Sequence, residues 1–308
     1  MDGTSARLVV LAMLAGAVLL VLGSWLWYRL RPVDRYEIGE VAVASGLTIT
    51  ADNAGIVADA VARTRLWRTL GVLAAIVGLG VAAYLQWSAD SRLDVPLTVL
   101  LWGLVGYWAG SVVAELATAR SMAGDGPRSA SLTPREMPQY VGAWAAQWPF
   151  RLAVIGALAS AVAVLAGGRE WWIWASGVGA VVVALVTRAV SRYVLDRPQP
   201  VLAVDVAAAD DAVRSRSLHA LGGTAVGIGI WLASLAFGGA VLTLAARSGV
   251  DVALDSTSGG EGVSSLLQAL ALFVTVALAL VVPIVGFIVG RRLARRPFAV
   301  PTAVRAAP

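Results

Sequence analysis

Cysteine and lysine are both missing from this 308-residue chain, and histidine occurs once, at His219. Without cysteine there is no disulfide, no thiolate nucleophile and no thiolate metal site. Without lysine there is no P-loop phosphate cradle and no Schiff base, so neither ATP hydrolysis by the chain nor a retinal pigment is expected. Charge is also scarce, with 14% of residues charged against 58% hydrophobic. A soluble domain carries about 25% charged residues, so this composition excludes an ordinary water-facing surface and points to a membrane protein. The remaining polar groups form no familiar reaction set. There is no His-Glu-x-x-His pair for a zinc protease, one histidine does not suit haem held between helices, and no acidic pair falls at membrane depth. The chain is therefore expected to be non-enzymatic and to carry no cofactor. Its net charge of +5 comes from arginine on short loops, which fits membrane topology better than nucleic-acid binding.

What the chain does have is long apolar runs. About 20 apolar residues cross the hydrocarbon layer, and seven runs qualify: 8–28, 66–86, 95–117, 150–166, 171–190, 220–245 and 263–290. The first continues through Trp25, Trp27 and Tyr28 into Arg29, Arg31 and Arg35 without a small-x-small cleavage site, so it reads as a span and not as a signal peptide. Arginine is retained on the cytoplasmic side during insertion. An external N-terminus leaves only Arg7, Arg92, Arg169 and Arg247 of the 24 basic residues outside. The expectation is an all-α, polytopic membrane helix bundle. It has about seven transmembrane helices, the N-terminus outside, the C-terminus cytoplasmic and interfacial helices on the inner side of the plasma (inner) membrane. The whole chain, 1–308, reads as a single membrane domain.

Residues 59–71 and 211–222 align with one gap, each an Asp-Ala-Val start followed by arginines and an Ala/Leu/Gly run. Segments 1–118 and 171–296 then read as parallel repeats around a linking segment 119–170, as in transporters whose site lies between halves. The simpler reading is that any helix leaving the cytoplasm collects arginine.

Several cytoplasmic pieces invite specific expectations. Val41, Val43, Leu47 and Ile49 alternate around Ala44, Ser45 and Gly46, a hairpin pattern. Asp52 is positioned to cap a helix on which Ile56, Val57, Ala60, Val61 and Thr64 share a face. That helix is expected to lie at the interface before turning into the second span, with Arg63, Arg65 and Arg68 reaching anionic lipid headgroups. Thr133, Pro134 and Glu136 form a capping box with proline at the first helical position. Met137, Tyr140, Val141, Trp144 and Trp148 follow at helical spacing, which predicts one helix in the membrane surface. Its roles are anchorage or the docking of a cytoplasmic ATPase or another membrane subunit. The tail cations Arg291, Arg292, Arg295 and Arg296 suit anionic headgroups.

Within the spans, ionisable residues are rare and therefore informative. Glu115 and Arg188 lie near inner ends, where they can either snorkel to water or belong to a coupling site. His219, at the inner mouth of the sixth span, reads as an interfacial hydrogen-bonding group. Small residues recur four apart at Ala74, Gly78 and Ala82, at Gly106, Gly110 and Ala114, at Gly223 and Gly227, and at Gly286 and Gly290. Such faces let helices pack closely in lipid. Pro283 is a candidate hinge in the last span. Trp102, Tyr107, Trp108 and Trp231 sit deeper than an interfacial belt, as core or as cavity lining.

Leu47 to Thr50, Ala62 to Arg68, Ala114-Glu115-Leu116, Ala130 to Arg135 and Tyr140 together resemble a group of uncharacterised actinobacterial multi-pass integral membrane proteins over about residues 47–140. The resemblance implies location and topology and assigns no active site. The functional expectation is a permease-like or accessory subunit of a membrane transport system. The alternative is a structural or lipid-interacting scaffold that assembles through its small-residue faces.

Overall fold

The computed structural model describes residues 31–90, 98–121, 128–129, 136–141, 143–197, 199–200 and 204–247, together with single positions between 15 and 27. The described residues are all-helical apart from one two-residue ladder and the links between elements. Its helices are α1 (Arg35–Ser45), α2 (Ala51–Asp90), α3 (Thr98–Ser121), α4 (Met137–Tyr140), α5 (Ala143–Leu165), α6 (Trp171–Asp196) and α7 (Val204–Arg247). The ladder pairs β1 (Arg128–Ser129) antiparallel with β2 (Gln199–Pro200). Among the described residues three stretches are long and apolar enough to cross a membrane: Ala146–Leu165, Trp171–Asp196 and Asp205–Leu244. They coincide with the fourth, fifth and sixth expected spans. The second and third lie on α2 and α3. Most of the first span, all of the seventh with its Pro283 hinge, and the tail lie outside the described residues.

Two compact units divide the described chain, one holding α1 to α3 with residues 192–221, the other residues 137–191 and 222–247. In the first unit, the expected hairpin at residues 36–50 is instead helix α1. Gly46 adopts a left-handed φ of 66°, and the Leu47 N–H reaches the Ala42 carbonyl at 2.9 Å. This closes the helix in a Schellman arrangement, so the Ala-Ser-Gly sequence is a helix stop and not a strand turn. Val41 then points inward while Val43 is exposed.

Helix α2 begins two residues earlier than Asp52 suggested. Thr50 precedes it, and the fully buried Asn53 reaches back, its Oδ1 accepting the Thr50 N–H at 2.9 Å and its Nδ2 donating to the Thr48 carbonyl at 2.9 Å. This is the returning half of a capping box, with asparagine in place of glutamate. Asp52 is exposed in the first turn. The expected face of Val57, Ala60 and Val61 exists, but it is buried against protein: Val57 and Val61 cluster with Val41 and Ala209, backed by Val33, Ile38, Leu47 and Ile49. The helix does not turn between this buried face and its apolar length. It runs unbroken for 40 residues, about 60 Å, or twice the ~30 Å hydrocarbon layer.

α2 meets α3 at backbone distance. A Cβ placed on Gly71 would collide with the backbone of Gly106 and Gly110, and one on Gly110 with the backbone of Trp67 and Arg68. On α3 the small stripe is the expected Gly106/Gly110. On α2 it is Gly71 and Ala75 in place of Ala74, Gly78 and Ala82, because Gly78 has nothing within 4 Å of where its Cβ would sit. The surface α2 presents was one helical position away from the pattern chosen by spacing alone.

In the second unit α5, α6 and α7 also pack through small residues. A Cβ at Gly156 would lie 3.3 Å from the Ala180 methyl and 3.4 Å from Ala233. Ala153, Ala180 and Ala184 form one cluster, and Ala163, Ile173 and Ala240 another. The Ile173 carbonyl accepts from both Ser160 and Ser176 at 2.7 Å, satisfying buried hydroxyls without water. Leu158, Leu165, Leu185 and Phe237 stand on the outward surfaces. We predict that Gly106→Leu destabilises the detergent-solubilised protein by about 3 kcal/mol through overpacking against backbone, whereas Gly78→Leu leaves its melting temperature unchanged. Thermal unfolding of both variants in one detergent checks this.

Candidate functional site

The strongest concentration of chemistry lies in the first unit, where the chain passes from α6 to α7. Asp210 and Arg214 are one turn apart on α7 and share a face. Arg214 has no exposed surface, Asp210 is 4% exposed and Arg197 is 7% exposed. The Arg214 guanidinium donates Nε to Asp210 Oδ2 at 2.8 Å, and its Nη1 donates to the carbonyls of Val194 at 3.0 Å and Arg197 at 2.8 Å. It thereby caps the open carbonyls at the C-terminus of α6, which a buried helix end must satisfy. Arg197 pairs with the other Asp210 oxygen. Burial pushes the Arg197 guanidinium below its ordinary range; the Asp210 carboxylate acts against that shift, and the neighbouring Arg214 cation adds to it.

Glu115 belongs to the same region. It is 3% exposed on α3, with the Ser217 side chain of α7 hydrogen-bonded to it and the charges of Arg68, Arg197 and Arg216 nearby. Arg68 donates Nε to Ser111 Oγ at 2.9 Å and Nη1 to the Tyr107 hydroxyl at 3.1 Å, with its guanidinium 5.2 Å over the Tyr107 ring. A cavity of about 10 Å³ lies beside these groups, lined by Thr64, Arg68, Arg216 and Ser217 and by the valines of α1, α2 and α7. That is room for about one water molecule. Among the described residues no group of three or more acidic or histidine side chains is set to hold a metal. The arrangement fixes helix ends and stores buried charge.

The residues singled out by sequence scatter differently. Arg65 binds Glu37 at 3.0 Å and the Arg31 carbonyl at 3.1 Å, so it, like Arg68, is engaged by groups of the chain itself. Arg63 is half-buried. Glu115 does not snorkel to water, being buried, whereas Arg188 is exposed and lies 5.9 Å over the Phe150 ring. His219 Nδ1 bonds the Ser215 carbonyl at 2.8 Å. Trp108 and Trp231 are buried in the packing.

The single surface helix expected over residues 133–148 is not formed. Glu136 is exposed coil, Met137 and Tyr140 bound the four-residue α4, and Trp144 and Trp148 belong to the start of α5. α5 runs through Pro149. Tyr140 is buried. Thr133, Pro134, Arg291, Arg292, Arg295 and Arg296 lie outside the described residues. The Arg197–Asp210–Arg214 network had no signal in the apolar pattern; only the i, i+4 spacing of Asp210 and Arg214 hinted at it.

No family model, no curated protein and no solved structure matches the chain. The resemblance over residues 47–140 therefore rests on those residues alone.

Removing one partner from a buried ion network strands the others. Asp210→Asn should cost about 3–5 kcal/mol by leaving two buried cations underpaired. Arg65→Ala, which opens a partly exposed pair, should cost about 1 kcal/mol or less. Chemical unfolding of the two variants side by side checks the contrast.

Proposed function

We propose that the chain is a non-enzymatic integral membrane protein of the plasma (inner) membrane, a permease-like or accessory subunit of a transport system. In this reading it crosses the membrane seven times with its N-terminus outside, which places the α1/α2 foot and the Arg197 network on the cytoplasmic side. The observation that carries the reading is the continuity of α2. Its first 17 or so residues are tied by Asn53, the Val57/Val61 cluster and the Arg65–Glu37 pair. The same helix then enters the apolar stretch that packs on α3 through Gly71. A helix that leaves the bilayer without a break transmits displacement, so a partner acting on the foot acts on the span. Partners of this kind include a cytoplasmic ATPase or other membrane subunits, with anionic lipid around them.

The scaffold alternative draws on small-residue faces as assembly surfaces. In this fold Gly71, Gly106, Gly110 and Gly156 are already taken up by neighbouring helices of the same chain, so the transport-component reading is preferred. Purification of the tagged full-length protein from its native membrane in nanodiscs, with mass spectrometry of stoichiometric partners, tests it. Recovery of an ATPase subunit supports it; recovery alone or with lipid only counts against it.

The absence of cysteine makes single replacements clean topology reporters. Glu170→Cys, in the exposed link between α5 and α6, should react with a membrane-impermeant maleimide in intact cells. Glu136→Cys, exposed before α4, should react only after permeabilisation. The reverse pattern would overturn the orientation.

A further inference from the structure

Buried carboxylates are ordinarily held by ion pairs, and Asp210 follows that rule while Glu115 does not. Glu115 lies on α3 with 3% of its surface exposed. The Ser217 hydroxyl of α7 donates to its carboxyl group, and the Oε1 atom is buried without a hydrogen-bond partner among the described residues. Charged groups face it from each packed element: Arg68 from α2, Arg197 from the end of α6 and Arg216 from α7. Their fields favour a carboxylate, yet among the described residues none forms an ion pair with it. Arg68 is bonded to Ser111 and Tyr107, Arg197 is bonded to Asp210, and Arg216 lies in the fields of Glu40 and Glu37 of α1. Removing a carboxylate from water without a direct partner is costly, so burial opposes the charge that the arginine fields favour. Ser217 also lines the water-sized cavity, whose other polar walls are Thr64, Arg68 and Arg216. Ser217 therefore borders both the buried carboxyl group and the space a water can enter.

We propose that Glu115 is a reversible proton-binding site, reached from the cavity through the Ser217 hydroxyl. In the loading step a cavity water molecule carrying an extra proton gives it to Ser217 Oγ while the Ser217 hydroxyl proton passes to the Glu115 carboxylate. One O–H bond forms and one breaks at Ser217, and the carboxylate becomes a neutral carboxyl group. In the reverse step the proton returns to water, and the fields of the three arginines hold the anion. The site goes beyond the transport reading and stands whether or not the protein transports anything.

Infrared difference spectroscopy on the full-length protein in nanodiscs, comparing acidified with neutral samples in H₂O and D₂O, tests this. The expected result is a protonated-carboxyl C=O band that shifts in D₂O, is missing in Glu115→Gln and moves in frequency in Ser217→Ala. Identical difference spectra for wild type and Glu115→Gln would overturn the proposal. Should Glu115→Gln fail to fold, Ser217→Ala decides, since it leaves the carboxyl group in place. A displaced band supports the site, and an unmoved one overturns it.

Discussion

A fully buried guanidinium governs the first unit. Arg214 presents a rigid fork of donors, and the carbonyls ending α6 need donors that no water can supply there. A lysine would offer a point charge and fewer directed bonds. The cation is tolerable only because Asp210 sits four residues before it on the same face, and Asp210 in turn holds Arg197. Each member makes the burial of the others affordable. The corner between α6 and α7 thus has one geometry, and Glu115, Ser217 and the cavity take their positions from it.

Two kinds of packing meet in this chain. At the foot, Val41, Val57, Val61 and Ala209 form an ordinary hydrophobic core, driven by withdrawal from water. Along the apolar lengths close backbone approach takes over. Gly71 against Gly106 and Gly110, and Gly156 against Ala180 and Ala233, are contacts in which a missing side chain lets polar backbones come near enough for dispersion to count. The buried serines Ser160 and Ser176 bond to the Ile173 carbonyl within the bundle. A continuous α2 carries both regimes, water-driven at one end and contact-driven at the other.

That continuity also shapes the functional reading. A foot held by charge and core is joined without a break to a stretch that packs through glycine. Glu115 stands at that junction, between the glycine contact and the arginine network. Its protonation would change the charge balance where the two kinds of packing join, beside the Ser217 side chain.

Helical class, membrane character and the apolar stretches were legible in composition and run length, because hydrocarbon thickness imposes about 20 apolar residues whatever the tertiary contacts. The glycine face of α3 was legible for the same reason: residues four apart share a side of any helix. What sequence could not decide was which of several small-residue stripes would be used, as the shift from Gly78 to Gly71 shows. Nor could it decide where helices end when two signals compete. Ala44-Ser45-Gly46 reads as a turn between strands, yet in the fold it is a helix stop. The capping-box pattern before Met137 promised a long surface helix, yet a single turn ends before residue 141. Arginines that looked free to reach lipid were claimed by Glu37, Ser111 and Tyr107, residues 28 to 43 positions away in the chain. Local spacing determined the helices and their apolar lengths. Tertiary structure alone decided which charges were buried together, since the partners of a buried ion are set by helices that meet in space and not by their distance along the chain.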